Sequence, residues 1–149
     1  MKMAGQITDV LEEQALIPVR TEMFTIPSAG SVTAVLLGFV SRRTAVNSVK
    51  IMHGTVPGGT LTVKVTRTPA GAALPTDSTD IAGSYALTSG DDMSTSTRNT
   101  ERTLTLTTSR GVPTQNILEA GDGMWLVSSG NLSGLGQIAL SVRMTEIIK

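Results

Sequence analysis

Cysteine is absent from the chain. That removes disulfide staples, thiolate nucleophiles and zinc–thiolate sites together, and leaves the redox compartment open. Aromatic side chains make up only 3% of the 149 residues: two Phe, one Tyr and one Trp. Stacking platforms for bases or sugars need rings displayed on strands, so this scarcity argues against both nucleic-acid and sugar-binding modules. His53 is the only histidine, too few for a zinc hydrolase or for the metal site of a cupin-like jelly-roll enzyme. At the end of Ile51-Met52-His53-Gly54 it is expected to be a surface or hydrogen-bonding residue. No charge excess exists either: twelve basic residues cancel twelve acidic ones, so nothing pulls the chain toward nucleic acid or a membrane surface. The longest apolar run, Val32–Val40, is nine residues, against about 20 needed to span a bilayer. Residues 3–20 carry Asp9, Glu12, Glu13 and Arg20 and lack an apolar core region, so no signal peptide is expected.

Enzyme motifs are missing in the same way. No Gly-x-Ser-x-Gly elbow surrounds any serine. Val56-Pro57-Gly58-Gly59-Thr60 lacks the Gly-Lys-Ser/Thr of a phosphate loop and precedes a strand, so it reads as a hairpin turn. Asp91-Asp92 and Asp77-Ser78-Thr79-Asp80 are loop acids without ligand spacing. The expectation is a protein that is not an enzyme and uses no catalytic residue, metal or cofactor. Leu118-Glu119-Ala120-Gly121-Asp122-Gly123-Met124-Trp125 has two readings. Glu119 and Asp122 could converge as a calcium site or acid/base pair, but calcium wants six to eight oxygens and nothing nearby supplies the rest. The simpler reading is a glycine turn feeding a strand that holds a partly buried Trp125.

What is present is alternation. Leu61, Val63 and Val65 share one face of residues 60–68 while Thr62, Lys64 and Thr66 take the other, the period of a half-buried strand. Residues 102–108 repeat this with Leu104 and Leu106, and Ile138, Leu140, Val142 and Met144 do so near the C-terminus. Residues 19–26, 31–40, 44–53, 81–87 and 124–129 complete about eight strands separated by turn formers. The predicted fold is all-β: an antiparallel β-sandwich, jelly-roll-like, with an N-terminal arm or short helix.

A content of 40% hydrophobic residues closes one core, so residues 19–149 are expected to form a single domain. Residues 69–101 would be a long, partly ordered excursion with a short strand at Ile81–Leu87. Residues 1–18 would form the arm, with Ile7, Val10, Leu11 and Leu16 needing an outside surface to bury against. Between Glu22 and Asp77 there is no acid, while Arg42, Arg43, Lys50, Lys64 and Arg67 supply five cations. Such segregation can make a positive face, or it can be a solvated sheet surface.

Phe24-Thr25-Ile26-Pro27-Ser28-Ala29-Gly30-Ser31-Val32-Thr33-Ala34-Val35 and Asn116-Ile117-Leu118-Glu119-Ala120-Gly121-Asp122, with the strand, Ser128-Ser129-Gly130 and alternating segment that follow, resemble tailed-bacteriophage capsid decoration (cement) and head-fibre-type proteins. The resemblance implies a virion structural protein on the outer capsid surface. It would stabilise the shell by bridging subunits of the major capsid protein, as a homo-oligomer with a trimer favoured. Its contact residues would then be Ile7, Val10, Leu11 and Leu16 on the arm and Arg42, Arg43 and Lys50 on the acid-free segment. The other reading is a phage tail or receptor-binding β module contacting host-surface glycans through residues 69–101.

Overall fold

The computed structural model describes residues 19–26, 32–54, 61–72, 79–87 and 101–148. Eleven strands run along them: β1 (Val19–Ile26), β2 (Ala34–Phe39), β3 (Thr44–His53), β4 (Leu61–Thr68), β5 (Thr79–Leu87), β6 (Arg102–Leu104), β7 (Thr108–Ser109), β8 (Val112–Pro113), β9 (Ile117–Leu118), β10 (Gly123–Ser128) and β11 (Ile138–Glu146). One sheet has the order β1-β11-β3-β6, with β9 also on β3, and the other has the order β2-β10-β4-β5. All these pairings are antiparallel. With β10 and β11 counted as the seventh and eighth principal strands, the orders are 1-8-3-6 and 2-7-4-5, the double Greek key of a jelly roll. The expected all-β sandwich is therefore the observed fold.

Alternation decides which side chains fill the space between the sheets. Val46, Val49 and Ile51 of β3, Ile138, Leu140, Val142 and Met144 of β11, Leu61, Val63 and Val65 of β4, and Met124 and Leu126 of β10 are all buried in one cluster. Leu132 and Leu135, on a 3-10 turn at Leu132–Leu135 whose Ser133 amide donates to the Asn131 side chain, plug one end. His53 is buried too, because its register opposite Ile138 turns it toward this core. The surface position open to it in the sequence is not the one it takes.

The two sides of the sandwich differ. After β6 the chain crosses between sheets: Leu106 bridges Ala82 of β5, and Thr107 donates from its amide to Ile81 O at 2.9 Å and from Oγ1 to Asp80 O at 2.8 Å. One side is thereby closed. This crossing breaks the strand expected at 102–108. It also makes residues 79–87 an integral edge strand of the second sheet, longer than the segment expected there. On the other side β1 and β2 face each other across a seam.

Candidate docking surface

The acid-free stretch is neutralised in space. Arg42 meets Glu146 at 3.5 Å, Arg43 meets Glu119 at 2.9 Å, Lys50 meets Glu101 at 2.7 Å, Lys64 meets Asp80 at 2.8 Å and Arg67 meets Asp122 at 3.7 Å. Each of the five cations thus finds a carboxylate from beyond the stretch, and a field of uncompensated positive charge does not form there. Arg42, Arg43 and Lys50 remain solvent-facing, spread along β3 and the turn before it. Ile7, Val10, Leu11 and Leu16 lie outside the described residues, as do the turn at Val56–Gly59 and the acids Asp77, Asp91 and Asp92.

Glu119 and Asp122 diverge instead of converging. Glu119 reaches out to Arg43, while Asp122, only 5% exposed, turns back into its own turn. Asp122 Oδ2 accepts from the Glu119 amide at 2.9 Å, and the Asp122 amide donates to Glu119 O at 3.0 Å. Gly121 takes φ +91°, a conformation that only glycine adopts without strain. Its amide donates to Val40 O at 2.8 Å, and Val40 donates to Asp122 O at 3.1 Å, so the turn extends the β2–β10 ladder. Arg67 projects from β4 into this end of the sandwich, facing Asp122 and donating to Ile117 O. The stretch is the glycine turn feeding a strand, and its carboxylates hold the turn and two arginines. Among the described residues no group of three or more His, Asp or Glu side chains is close enough to share a metal ion.

The feature that the sequence did not disclose is apolar. Phe39 is 66% exposed and Met23 65%, with Val19 and Leu36 exposed as well, all on the two strands that border the seam. Phe39 pairs with Gly123, and a side chain there would meet Trp125 Nε1 at 3.1 Å and the Phe39 ring at 3.3 Å. Gly123 is thus the space that lets the indole and phenyl rings close over β10 on the outer face of the second sheet. Trp125 is half-buried there, opposite Leu36 and Thr66, and is no part of the core. Phe39 separates two depressions. One, of about 160 Å³, opens in the seam among Arg20, Glu22, Phe24, Gly38, Met124 and Met144. The other, of about 190 Å³, lies among Thr68, Ala70, Gly71, Ala72, Gly121 and Gly123. The nearly unbroken apolar run at residues 32–40 was the available signal, but it reads as a strand buried on both faces.

No protein-family pattern matches the chain, and no curated protein matches it. Among solved structures it is similar to a chain from the structure of the infectious bursal disease virus Gt strain, at 16% identity and a TM-score of 0.35 over 88% of this chain. The match covers 32% of that longer chain. At that score the likeness adds nothing to the fold already given by the strand order.

Proposed function

We propose that this chain is a structural protein of a virus particle, one that binds the outside of an assembled phage shell, bridges major capsid protein subunits and does no chemistry. The observation that carries the reading is the jelly-roll order combined with an exposed apolar pair, Phe39 and Leu36, on the outer face of β2 beside the seam. The segments that resemble decoration proteins supply the end of β1 and the start of β2, and then β9 and the turn into β10. Residues 1–18 precede β1 directly and add Ile7, Val10, Leu11 and Leu16 to the same partner. A ligand that binds only the assembled lattice stabilises it by RT ln(1 + [L]/Kd), about 4 kcal/mol per site at a thousandfold excess over Kd. Four buried aliphatic side chains at roughly 1.5–3 kcal/mol each outweigh exposed ion pairs at about 0–1 kcal/mol. Arg42, Arg43 and Lys50 are already matched by carboxylates, so the arm is the stronger contact.

Pelleting with purified shells tests this. The intact chain should co-sediment and raise the temperature at which shells release their contents, and removal of residues 1–17 should abolish both effects while β-rich circular dichroism persists. Failure of the intact chain to bind any shell would refute the decoration reading. In that event Phe39, an exposed ring beside the depression at Thr68, favours the tail or receptor-binding reading, which predicts binding to host-surface glycans instead.

A further inference from the structure

β1 is an edge strand unlike the others. The ladder with β11 runs through eight consecutive pairs, Val19↔Thr145 to Ile26↔Ile138, without a register shift. Edges elsewhere are blunted. β2 carries an irregularity against β10, β5 carries two against β4 and is capped by Leu106, and β6 and β9 are three and two residues long. Long, flat edges attract further strands, and proteins ordinarily defend them with bulges, short length or inward-pointing charge.

The one defence on β1 is of the last kind, and its pattern makes it selective. Arg20 and Glu22 share the inward face with Phe24 and Ile26, opposite buried Met144 and Val142, while Val19, Thr21 and Met23 face outward and are exposed. Arg20 Nε sits 3.1 Å from Glu22 Oε1, and both side chains stay about two-fifths exposed at the mouth of the seam. An ordinary strand laid along this edge would leave those charges facing apolar or like-charged positions. A second β1, run antiparallel with Thr21 on a two-fold axis, does not. It places Arg20 opposite Glu22 twice and Val19 opposite Met23 twice. A two-fold axis normal to the sheet keeps inward residues opposite inward ones, which restricts the register to even offsets. Moving the axis to Glu22 sets like charges face to face, and moving it to Met23 sets Arg20 opposite Ile26. The five residues Val19-Arg20-Thr21-Glu22-Met23 are symmetric in polarity about Thr21 and opposite in charge, the self-complementarity of an isologous interface. Opposite-charge and apolar cross-strand pairs stabilise such a ladder, and like charges oppose it.

We infer that β1 is a self-pairing edge: two copies of this chain join through antiparallel β1 strands about Thr21 and continue the first sheet across the pair. This stands apart from the virion reading, because it needs no shell. It also differs from the three-fold assembly that the family resemblance implies.

Charge exchange in the full chain tests it. The parent should sediment at twice its 15.5 kDa. Arg20→Glu alone and Glu22→Arg alone should each lose at least tenfold in dimer affinity. An equimolar mixture of the two variants should recover it as a mixed dimer, and the double exchange should recover it as well. Because the chain has no cysteine, Thr21→Cys should give a covalent dimer on mild oxidation, while Thr25→Cys, four residues away from the axis, should not. The cysteine variants keep the test sharp if a charge reversal impairs folding. A parent that stays monomeric, a trimer, undiminished dimers in both single variants, or cross-linking at Thr25 but not Thr21 would each overturn the inference. So would a dimer that forms only after residues 1–18 are removed, since that would make those residues the strand's own cover.

Discussion

Replacing Asp122 by alanine removes one carboxylate that serves two groups. Its Oδ2 is the acceptor for the Glu119 amide at 2.9 Å and faces Arg67 Nη1 at 3.7 Å, in a residue 5% exposed. The orphaned amide alone should cost about 1–3 kcal/mol. Breaking a fully buried ion pair costs about 3–5 kcal/mol, but Arg67 keeps the Ile117 carbonyl and its side chain is 26% exposed, so only a fraction of that applies. Together these give a loss of about 2–3 kcal/mol, which for a chain of this size lowers the melting temperature by roughly 2–4 °C per kcal/mol. Urea unfolding of the purified protein measures it directly, with Asp122→Asn as the companion. Asparagine keeps an acceptor and should cost only about 1 kcal/mol. A loss below about 0.5 kcal/mol for alanine would refute the assignment of Asp122 to the turn. Calcium-dependent stabilisation that vanishes in Asp122→Ala would restore the metal reading.

Three further outcomes are expected. Trp125→Ala should cost about 1–2 kcal/mol in the same urea assay, below the 3–5 kcal/mol of a core aromatic, because the ring lies half-buried on an outer face. Leu140→Ala, in the middle of β11 and fully buried, should cost about 2–5 kcal/mol, and a value near that of Trp125 would mean the core is wrongly located. Gly121→Ala should lower the thermal midpoint by an amount equivalent to about 1–2 kcal/mol, since φ is +91° and the new Cβ would approach Ala70 Cβ at 3.2 Å.

Where two-residue periodicity was sustained, the sequence was enough. β1 and β3 have the limits that alternation predicts, and Leu61, Val63, Val65 and the inward row of β11 are buried as expected. The β7–β8 hairpin was missed because its strands have two residues each and its turn uses Arg110 at φ 52° before Gly111 at φ 80°. Turns with two positive φ values are usually announced by Asn-Gly or Asp-Gly. Charge was left open between a positive face and a solvated sheet surface for a different reason. A sequence shows which residues are segregated, but Arg43 and Glu119 meet across 76 positions and Lys50 and Glu101 across 51, distances that only the topology closes. Phe39 was hidden because an apolar strand does not state which of its faces has a neighbour, whereas Trp125 is partly buried as expected. The contact residues assigned to the arm lie outside the described residues.

The strand order has a consequence for how such a chain comes to be folded. Divide it between Thr76 and Asp77, so that β1 to β4 fall in the first part and β5 to β11 in the second. Every rung of both sheets then joins one part to the other: β1 and β3 to β11, β3 to β6 and β9, β2 and β4 to β10, and β4 to β5. Among the described residues, neither part contains a partner for its own long strands. The first carries seven bases and four acids and the second five bases and eight acids, net charges of +3 and −3. As the chain leaves the ribosome, the first 76 residues therefore emerge cationic and without strand partners, and the sandwich cannot close until β11 has been made, a late and non-local step of the kind that folds slowly. Expressed as two separate polypeptides, the halves should find each other at a rate that falls as salt is added, and only their complex should show β structure.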